Sequence, residues 1–350
     1  MKSNNRIIEY DIIRVIATIL VVIGHAGYLS MVTSYGGIDT IIFESNPGQR
    51  LIDYAIRFIY SFHMPLFFFL SGAVFNNAVL RGKYKGVTDV ILDKSKRLLV
   101  PYIAATALYV VPIKYAVGYY SKSPDVIYDI VVGQLFITGN THLWFLIVLF
   151  EITILSYIII SLKCNSTIKV LIVVAIDLFG IFVDIPFMGI SRMCINSVWF
   201  LLGYYFNERR EKIYGFIYSK KSVVGILLLY SVTMFLYLTM FKGNQLIYQL
   251  VNFGGIATTL IITLIIRKYD FFYTNKCFRV ILKASFAIYI LSDPLNYIIL
   301  YTAGRDCIGI PFSSSINCLA LALLRSVLTL IFPIVIYTFY GKAKQKIKNR

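Results

Sequence analysis

The chain consists largely of apolar runs of about 20 residues separated by short polar stretches. One bilayer-crossing helix needs a run of about that length. The pattern therefore predicts an all-α, polytopic integral membrane protein with about ten transmembrane helices. Their predicted bounds are 8–30, 52–80, 98–118, 143–162, 168–185, 191–206, 217–241, 246–266, 281–301 and 313–340.

Composition supports a membrane protein and leaves no polar stretch long enough for a separate soluble domain. Of the 350 residues, 58% are hydrophobic and 15% are charged, whereas soluble domains carry about 25% charged residues. We expect one membrane domain over residues 1–350, ending in a basic tail at 341–350. A cleaved signal peptide is a poorer interpretation of the first run, because nine more runs follow and Arg14 and His25 interrupt it.

The net charge of +17 is distributed unevenly along the chain. Lysine and arginine cluster in every second gap between apolar runs, near 81–97, 209–221 and 267–283, and again in the C-terminal tail. This positive-inside pattern predicts that both termini are cytoplasmic. Basic loops of this kind face anionic lipid, so membrane lipid is an expected partner and nucleic acid is not.

The first predicted helix carries two ionisable side chains, Arg14 and His25, which are 11 residues apart. Eleven residues make about three helical turns, so both lie on one face and about 16 Å apart along the axis. Ionisable groups inside a membrane are candidates for function, because burying them is costly. The alternative for His25 is a buried histidine with a purely structural role.

The chain has three histidines, His25, His63 and His142, and all fall at predicted transmembrane positions or helix starts. Imidazole suits a general base that works near neutral pH. A three-histidine zinc site is a weaker interpretation, because no two histidines are three or four residues apart on one helix. We therefore expect no metal.

Other predicted helices also contain ionisable groups. Glu151 lies nine residues after His142 on the fourth predicted helix, about 13 Å further along the axis. It is a candidate for the substrate site, and a structural ion pair with an arginine is the alternative. The remaining intramembrane groups are Arg57, Asp177, Asp184, Asp293 and Arg325, and the arginines that could pair with Glu151 are Arg14, Arg57 and Arg325.

Four short segments follow one another in about the first 150 residues. They are Arg14 and His25 with ten residues between them; His63-Met64-Pro65 running to Ser71-Gly72; Lys96-Arg97 running to Pro101-Tyr102; and His142-Leu143-Trp144. Together they resemble the acyltransferase 3 family of bacterial membrane acyltransferases. The resemblance is strongest to the branch of fucose 4-O-acetylase-like sugar O-acetyltransferases.

The resemblance implies a multi-pass O-acyltransferase of the cell inner (plasma) membrane. It would move an acyl group, usually acetyl, from cytoplasmic acetyl-CoA or another acyl-CoA to a sugar hydroxyl. The acceptor would be a surface or exported glycan of the cell envelope, or its lipid-linked precursor. Expected partners are acyl-CoA, the carbohydrate acceptor and membrane lipid, and polysaccharide-synthesis machinery is a further candidate.

The resemblance also implies roles for individual residues. His25 would be the general base or a transient acyl carrier, with Arg14 and His63 beside it in the catalytic set. Arg14 and Arg97 would hold the phosphates of the CoA donor, because the arginine fork matches phosphate. Residues expected to bind the acceptor or stabilise the oxyanion are His63, His142, Trp144, Ser71 and Glu151.

One late segment departs from the family pattern. The family often has a histidine shortly before a proline there, whereas this chain has Ser292-Asp293-Pro294 with Ser292 at the histidine position. The role of that histidine is therefore lost, or taken by Ser292 or Asp293. Two other functions stay open from the residues alone. One is a glycan or proton-coupled transporter or flippase, and the other is a non-catalytic partner of a polysaccharide synthase.

Overall fold

The computed structural model describes residues 7–29, 31–33, 36–38, 46–137, 142–217, 219–241, 243–269, 271–302 and 314–348. This part of the chain is almost entirely helical, which confirms the all-α prediction. Strands β1 (Met31–Thr33) and β2 (Gly36–Ile38) form a short antiparallel pair in which Val32 faces Gly37.

The described residues form eleven long helices. They are α1 Ile8–Ala26, α2 Pro47–Tyr60, α3 His63–Leu80, α4 Val87–Ala116, α5 Trp144–Ser161, α6 Ser166–Phe182, α7 Ile190–Ile217, α8 Lys220–Thr239, α9 Gln245–Ile266, α10 Lys276–Tyr301 and α11 Ser315–Lys348. Shorter pieces are the helical turns Val126–Tyr128 and Phe271–Thr274 and the π-helix Asp129–Gln134.

Every predicted apolar run overlaps one of these helices. Within the described residues, six helical stretches are long and apolar enough to cross a membrane: 47–80, 87–116, 144–161, 220–239, 245–266 and 315–345. The ten-span count and the cytoplasmic termini stay predictions. Helices α1 and α10 are not among the six, and both carry several charged residues, including Glu9, Asp11 and Arg14 on α1.

The predicted helix 52–80 is wrong in one respect, since the structure has two helices there. Helix α2 begins earlier, at Pro47, because the side chain of Asn46 caps its first turn by accepting the Gln49 N–H at 2.9 Å. It ends at Tyr60, and α3 starts at His63. Pro65 lies in the first turn of α3, where a residue without a backbone N–H costs little stability. In a continuation of α2 the same proline would lack the N–H that donates to the preceding turn, so it favours a break before α3.

Basic residues that the sequence places in loops lie on helices instead. Helix α4 begins at Val87, eleven residues before the predicted start, and it contains π-turns at Ser95–Leu99 and Thr106–Val110. Arg97 is therefore a helical residue and not part of a basic loop. In the same way, α7 runs on to Ile217, and α11 continues through the basic tail to Lys348. Apolar residues mark the segment expected to lie in the membrane, whereas the helix continues into the polar residues next to that segment.

The chain groups into two compact units. The first unit comprises Met1–His63, Ile113–Pro124 and Ile262–Arg350, and the second comprises Met64–Pro112 and Asp125–Ile261. Whether the chain acts as a single domain over 1–350 stays a prediction.

In the first unit, α1 packs against α2, α10 and α11. Its buried face contacts α10 at two levels, through Ile12 and Val15 near one end and through Val22 near the other. Their partners on α10 include Phe278, Leu282, Ala284 and Ile288.

In the second unit, α7 packs against α5 and α6, and it also crosses α3 at very short range. A Cβ atom added to Gly72 would lie 1.8 Å from the carbonyl oxygen of Phe200. A Cβ added to Gly203 would lie 1.9 Å from the carbonyl oxygen of Phe69. The two glycines thus let the backbones of α3 and α7 touch, as small residues do where membrane helices pack closely.

We expect Gly72→Ala and Gly203→Ala each to lower the free energy of unfolding by about 1–3 kcal/mol, because a methyl group must force the two helices apart. Unfolding in detergent, followed by circular dichroism, measures this. The matched control is Gly215→Ala on α7, where an added Cβ meets nothing within 4 Å. Equal stability of all three variants would show that the α3–α7 crossing is not as tight as described.

Candidate active site

His25, in the last turn of α1, lies next to Asp293 of α10. The Nδ1 atom of His25 is 2.8 Å from Oδ1 of Asp293, and the two side chains are 17% and 4% exposed. A carboxylate accepts hydrogen bonds, so Nδ1 carries the proton and donates. In the neutral ring the other nitrogen, Nε2, is then an acceptor, which is the form that a general base needs.

The guanidinium of Arg325, on α11, closes the end of α1. Arg325 is fully buried, and its terminal nitrogens donate to the backbone carbonyls of Tyr28 and of His25, the latter at 3.4 Å. Its Nε donates to Oδ1 of Asn296 on α10 at 3.0 Å. The last carbonyls of a helix lack partners within the helix and carry partial negative charge. Arg325 satisfies them and links three helices around His25.

Tyr60, the last residue of α2, lies between His25 and His63. Its ring makes edge contacts with both, at centroid distances of 6.1 Å to His25 and 4.7 Å to His63. The ring reaches α1 because residue 24 is glycine, where a Cβ would lie 2.8 Å from Cε2 of Tyr60. The predicted pair of catalytic histidines is therefore brought together around a tyrosine.

His63, the first residue of α3, is buried and held by the last turn of α2. Its Nδ1 lies 3.0 Å from the carbonyl oxygen of Ile59. A carbonyl can only accept, so Nδ1 donates and Nε2 of the neutral ring is an acceptor. His63 and His25 thus share one tautomer, fixed by two different partners.

A second buried cation interacts with Asp293. Lys114, near the end of α4, is fully buried, and its Nζ is 4.3 Å from the ring centre of Tyr119 and 5.3 Å from that of Tyr297. The Tyr297 hydroxyl hydrogen-bonds Asp293. Buried charges persist in proteins when they are paired. Here the carboxylate of Asp293 lies in the field of both Lys114 and Arg325.

Helix α10 presents a polar stripe to this cluster. Ser292, Asp293, Asn296 and Tyr297 are all buried, and positions 292 and 296, like 293 and 297, are one turn apart. Oγ of Ser292 and Nδ2 of Asn296 have no hydrogen-bond partner among the described residues. Ser292, at the position of the family histidine, therefore adds a hydroxyl to the stripe and no base.

Arg14 lies on α1 with His25, as predicted, and is half-buried. Its backbone carbonyl accepts from the Thr18 hydroxyl at 2.8 Å. No group of three His, Cys, Asp or Glu side chains that could hold a metal ion is found in the part of the chain that the structure describes.

Four other predicted residues belong to the second unit. His142 is buried immediately before α5, and Trp144 begins that helix with the Arg192 guanidinium 4.9 Å from its ring centre. Glu151 lies two turns further on, and its buried Oε2 has no hydrogen-bond partner among the described residues. Ser71 is half-buried on α3 beside Gly72. Their roles in substrate binding stay predictions.

Arg97, the predicted phosphate ligand, is two-thirds exposed, and its Nε lies 2.9 Å from Oδ1 of Asp93. Asp93 also accepts from Lys83 at 2.6 Å and from the Tyr84 hydroxyl at 2.8 Å. This site is a solvent-facing cluster with more cations than carboxylates. Its affinity for phosphate stays a prediction.

Sequence reasoning missed several residues of the site. Asp293 and Arg325 were recognised as intramembrane charges, but nothing in the sequence indicates that they surround His25. Lys114 and Tyr60 were not singled out, because a lysine or tyrosine near a helix end usually lies at the membrane interface. A useful signal was the Gly24-His25 pair, since a glycine beside a buried histidine leaves space for a neighbouring ring.

Comparison with known proteins identifies the family. A family model described as "Acyltransferase domain" matches residues 7–338. The chain belongs to the acyltransferase 3 family. This confirms the resemblance that the four motifs indicated.

Two curated relatives are nodulation proteins NolL. The one from Sinorhizobium fredii is 31% identical over 106 residues, which is 30% of this chain and 25% of the relative. The one from Mesorhizobium japonicum is 31% identical over 101 residues, or 29% and 23% of the two chains. The chain thus matches only about a quarter of the length of either relative. No solved structure matches the chain significantly.

We expect Arg325→Lys to lower the free energy of unfolding by about 1–3 kcal/mol, because one ammonium cannot reach Asn296 and two carbonyls together and a buried acceptor is left unsatisfied. Denaturant titration in detergent micelles measures the loss. Lys342→Gln, which removes an exposed cation from the same helix, serves as the control and should leave stability unchanged. A lysine variant as stable as the wild type would contradict the role of Arg325 as a cap.

Proposed function

We propose that this protein is a membrane O-acyltransferase that moves an acetyl group from acetyl-CoA to a sugar hydroxyl of an exported glycan or its lipid-linked precursor. The observation that carries the proposal is the geometry of His25 in a chain of the acyltransferase 3 family. Nδ1 of His25 donates a hydrogen bond to Asp293, so Nε2 of the neutral ring is a hydrogen-bond acceptor. That is the arrangement required to take a proton from a hydroxyl.

The reaction needs one base and no redox partner. Nε2 of His25 takes the hydroxyl proton as the sugar oxygen attacks the thioester carbonyl. The new C–O ester bond forms, the C–S bond breaks, and the proton on His25 passes to the departing CoA thiolate. Products are the acetylated sugar and CoA, and His25 is again neutral. Transfer through an acetyl-histidine would use the same nitrogen as a nucleophile.

His63 is better suited to positioning the acceptor than to stabilising an oxyanion. Its Nδ1 already donates to the Ile59 carbonyl, so Nε2 of the neutral ring accepts from a sugar hydroxyl and has no proton to offer an oxyanion. The roles of His142, Trp144, Ser71 and Glu151 in binding the acceptor or stabilising the oxyanion are those that the family resemblance implies, and all four residues lie in the second unit.

The family resemblance implies that Arg14, in the first unit, and Arg97, in the second, are candidate ligands for the phosphates of the donor on the cytoplasmic side of the inner membrane. Arg97 lies on an exposed helical face with Lys83 and Lys94 nearby, which suits an anion larger than one carboxylate. In the structure, part of the Arg97 guanidinium already binds the carboxylate of Asp93. Phosphate binding would exchange this partner for a more highly charged one.

We expect His25→Ala to reduce acetyl transfer at least 100-fold, because general-base catalysis contributes a factor of about 10²–10⁴. Membranes containing the protein are incubated with radiolabelled acetyl-CoA and the surface glycans of the host, and label in the glycan is counted. Ser326→Ala on α11, which removes only a hydroxyl bonded to the Ala322 carbonyl, should retain full transfer.

Label in the glycan with wild type and Ser326→Ala, but not with His25→Ala, supports the proposed reaction. Wild-type rates in His25→Ala would exclude His25 as the base. A wild-type protein that moves glycan across vesicle membranes without acetyl-CoA would favour the transporter interpretation, because a transporter has no need of that donor.

A further inference from the structure

We propose that Asp293 is the positioning residue of His25. It would hold the ring as the tautomer protonated at Nδ1, with Nε2 turned to the acceptor hydroxyl, and would stabilise the imidazolium that forms during transfer. The kinetic part of this inference rests on the proposed acyl transfer. The tautomer part does not, so the two can be tested separately.

The contact between the two side chains is short and well enclosed. Nδ1 and Oδ1 are 2.8 Å apart, and Asp293 is 4% exposed. The ring is also bounded by Tyr60, whose centroid is 6.1 Å away with the planes at 62°. A ring held by a hydrogen bond at one edge and an aromatic side chain at another keeps one orientation, which a base needs in order to meet its substrate.

Contacts among helices α1, α10 and α11 fix the distance between His25 and Asp293. Arg325 donates to the carbonyl of His25 on α1 and to Asn296 on α10, one turn from Asp293. Apolar contacts of Val22 with Ala284 and Ile288 hold the same two helices together. The pairing of His25 with Asp293 is thus part of a packed helix interface.

Groups from each neighbouring element suit Asp293 to accept a hydrogen bond from His25. The Tyr297 hydroxyl donates to it from the same helix, and the cations Lys114 of α4 and Arg325 of α11 favour its ionised form. The other polar side chains facing the pair come from α2 and from the flanking chain: Tyr28, Tyr60 and His63.

The chemical consequence follows from the two forms of a neutral imidazole. A ring protonated at Nε2 can donate to a hydroxyl but cannot take its proton. Metal-free bases with an orienting carboxylate avoid this form, and in serine proteases changing that Asp to Asn lowers kcat about 10⁴-fold because the tautomer is wrong. Asp293 would do the same for His25, although it is contributed by a helix far along the chain.

A purely electrostatic role for Asp293 predicts something different. If the carboxylate only offset Lys114 and Arg325, its loss would lower stability and leave the His25 tautomer unchanged. The tautomer of His25 therefore separates the two roles. The chain is suited to this measurement, because it contains only three histidines.

The experiment labels the full-length protein in detergent with ¹⁵N-histidine and reads the ring nitrogens by NMR, with His25→Gln used to assign the His25 signals. In the wild type we expect His25 to be protonated at Nδ1. In Asp293→Asn the amide keeps the shape, but its Nδ2 can donate to Nδ1 while Oδ1 still accepts from Tyr297. We expect the His25 proton to move to Nε2.

Acetyl transfer is measured on the same proteins. We expect Asp293→Asn to lower kcat at least 100-fold while KM for acetyl-CoA changes less than about threefold, and Asp293→Glu to recover part of both kcat and the tautomer. The matched control is Asp177→Asn, an intramembrane carboxylate of the second unit that accepts from Gln249 at 2.8 Å. It should change neither the His25 signals nor kcat.

An unchanged His25 tautomer in Asp293→Asn, with an unchanged kcat, overturns the inference. A change of tautomer in a protein whose wild type transfers no acyl group overturns the proposed function and leaves the positioning role standing. If Asp293→Asn fails to fold, the tautomer and kcat of Asp293→Glu decide, because a wild-type kcat with Nδ1 released from the carboxylate contradicts positioning.

Discussion

The buried guanidinium of Arg325 sets the geometry on which the candidate site depends. Helix α1 ends beside His25, and in an apolar surrounding the free carbonyls of a helix end cost several kcal/mol each. Arg325 donates to the carbonyl of His25 in the last turn, to the carbonyl of Tyr28 just past the helix end, and to Asn296. The candidate base His25 is thus attached to a helix end whose position is fixed by a residue on another helix.

Burying that cation creates a need for negative charge, and Asp293 meets it. The same carboxylate accepts from His25 and from Tyr297 and lies in the field of Lys114. The Asp293 carboxylate that offsets the buried cations is therefore also in contact with His25, the candidate base. This coupling explains how one side chain could serve folding and catalysis, and why removing it is informative only when tautomer and stability are measured separately.

Hydrophobic runs predict the helices well, because burial in lipid requires apolar length, but they predict helix ends poorly. The early start of α2 depends on capping by Asn46, and the break between Tyr60 and His63 involves Pro65; both signals act over only a few residues. The site was predicted only within single helices, since periodicity places Arg14 and His25 on one face. Contacts across helices, such as His25 with Asp293, depend on packing that no local pattern encodes.

The glycines of the sequence motifs show that these motifs depend on helix packing as well as on reactive groups. Gly72 follows Ser71 in the second motif, yet its own role is to let α3 touch the backbone of α7. Gly24 precedes His25 and admits the ring of Tyr60. In both places a residue proposed for chemistry stands beside a residue needed for close packing. A polar group inside a membrane protein can be held rigidly only where helices approach closely, so motifs of this kind mark tight crossings as well as reactive groups.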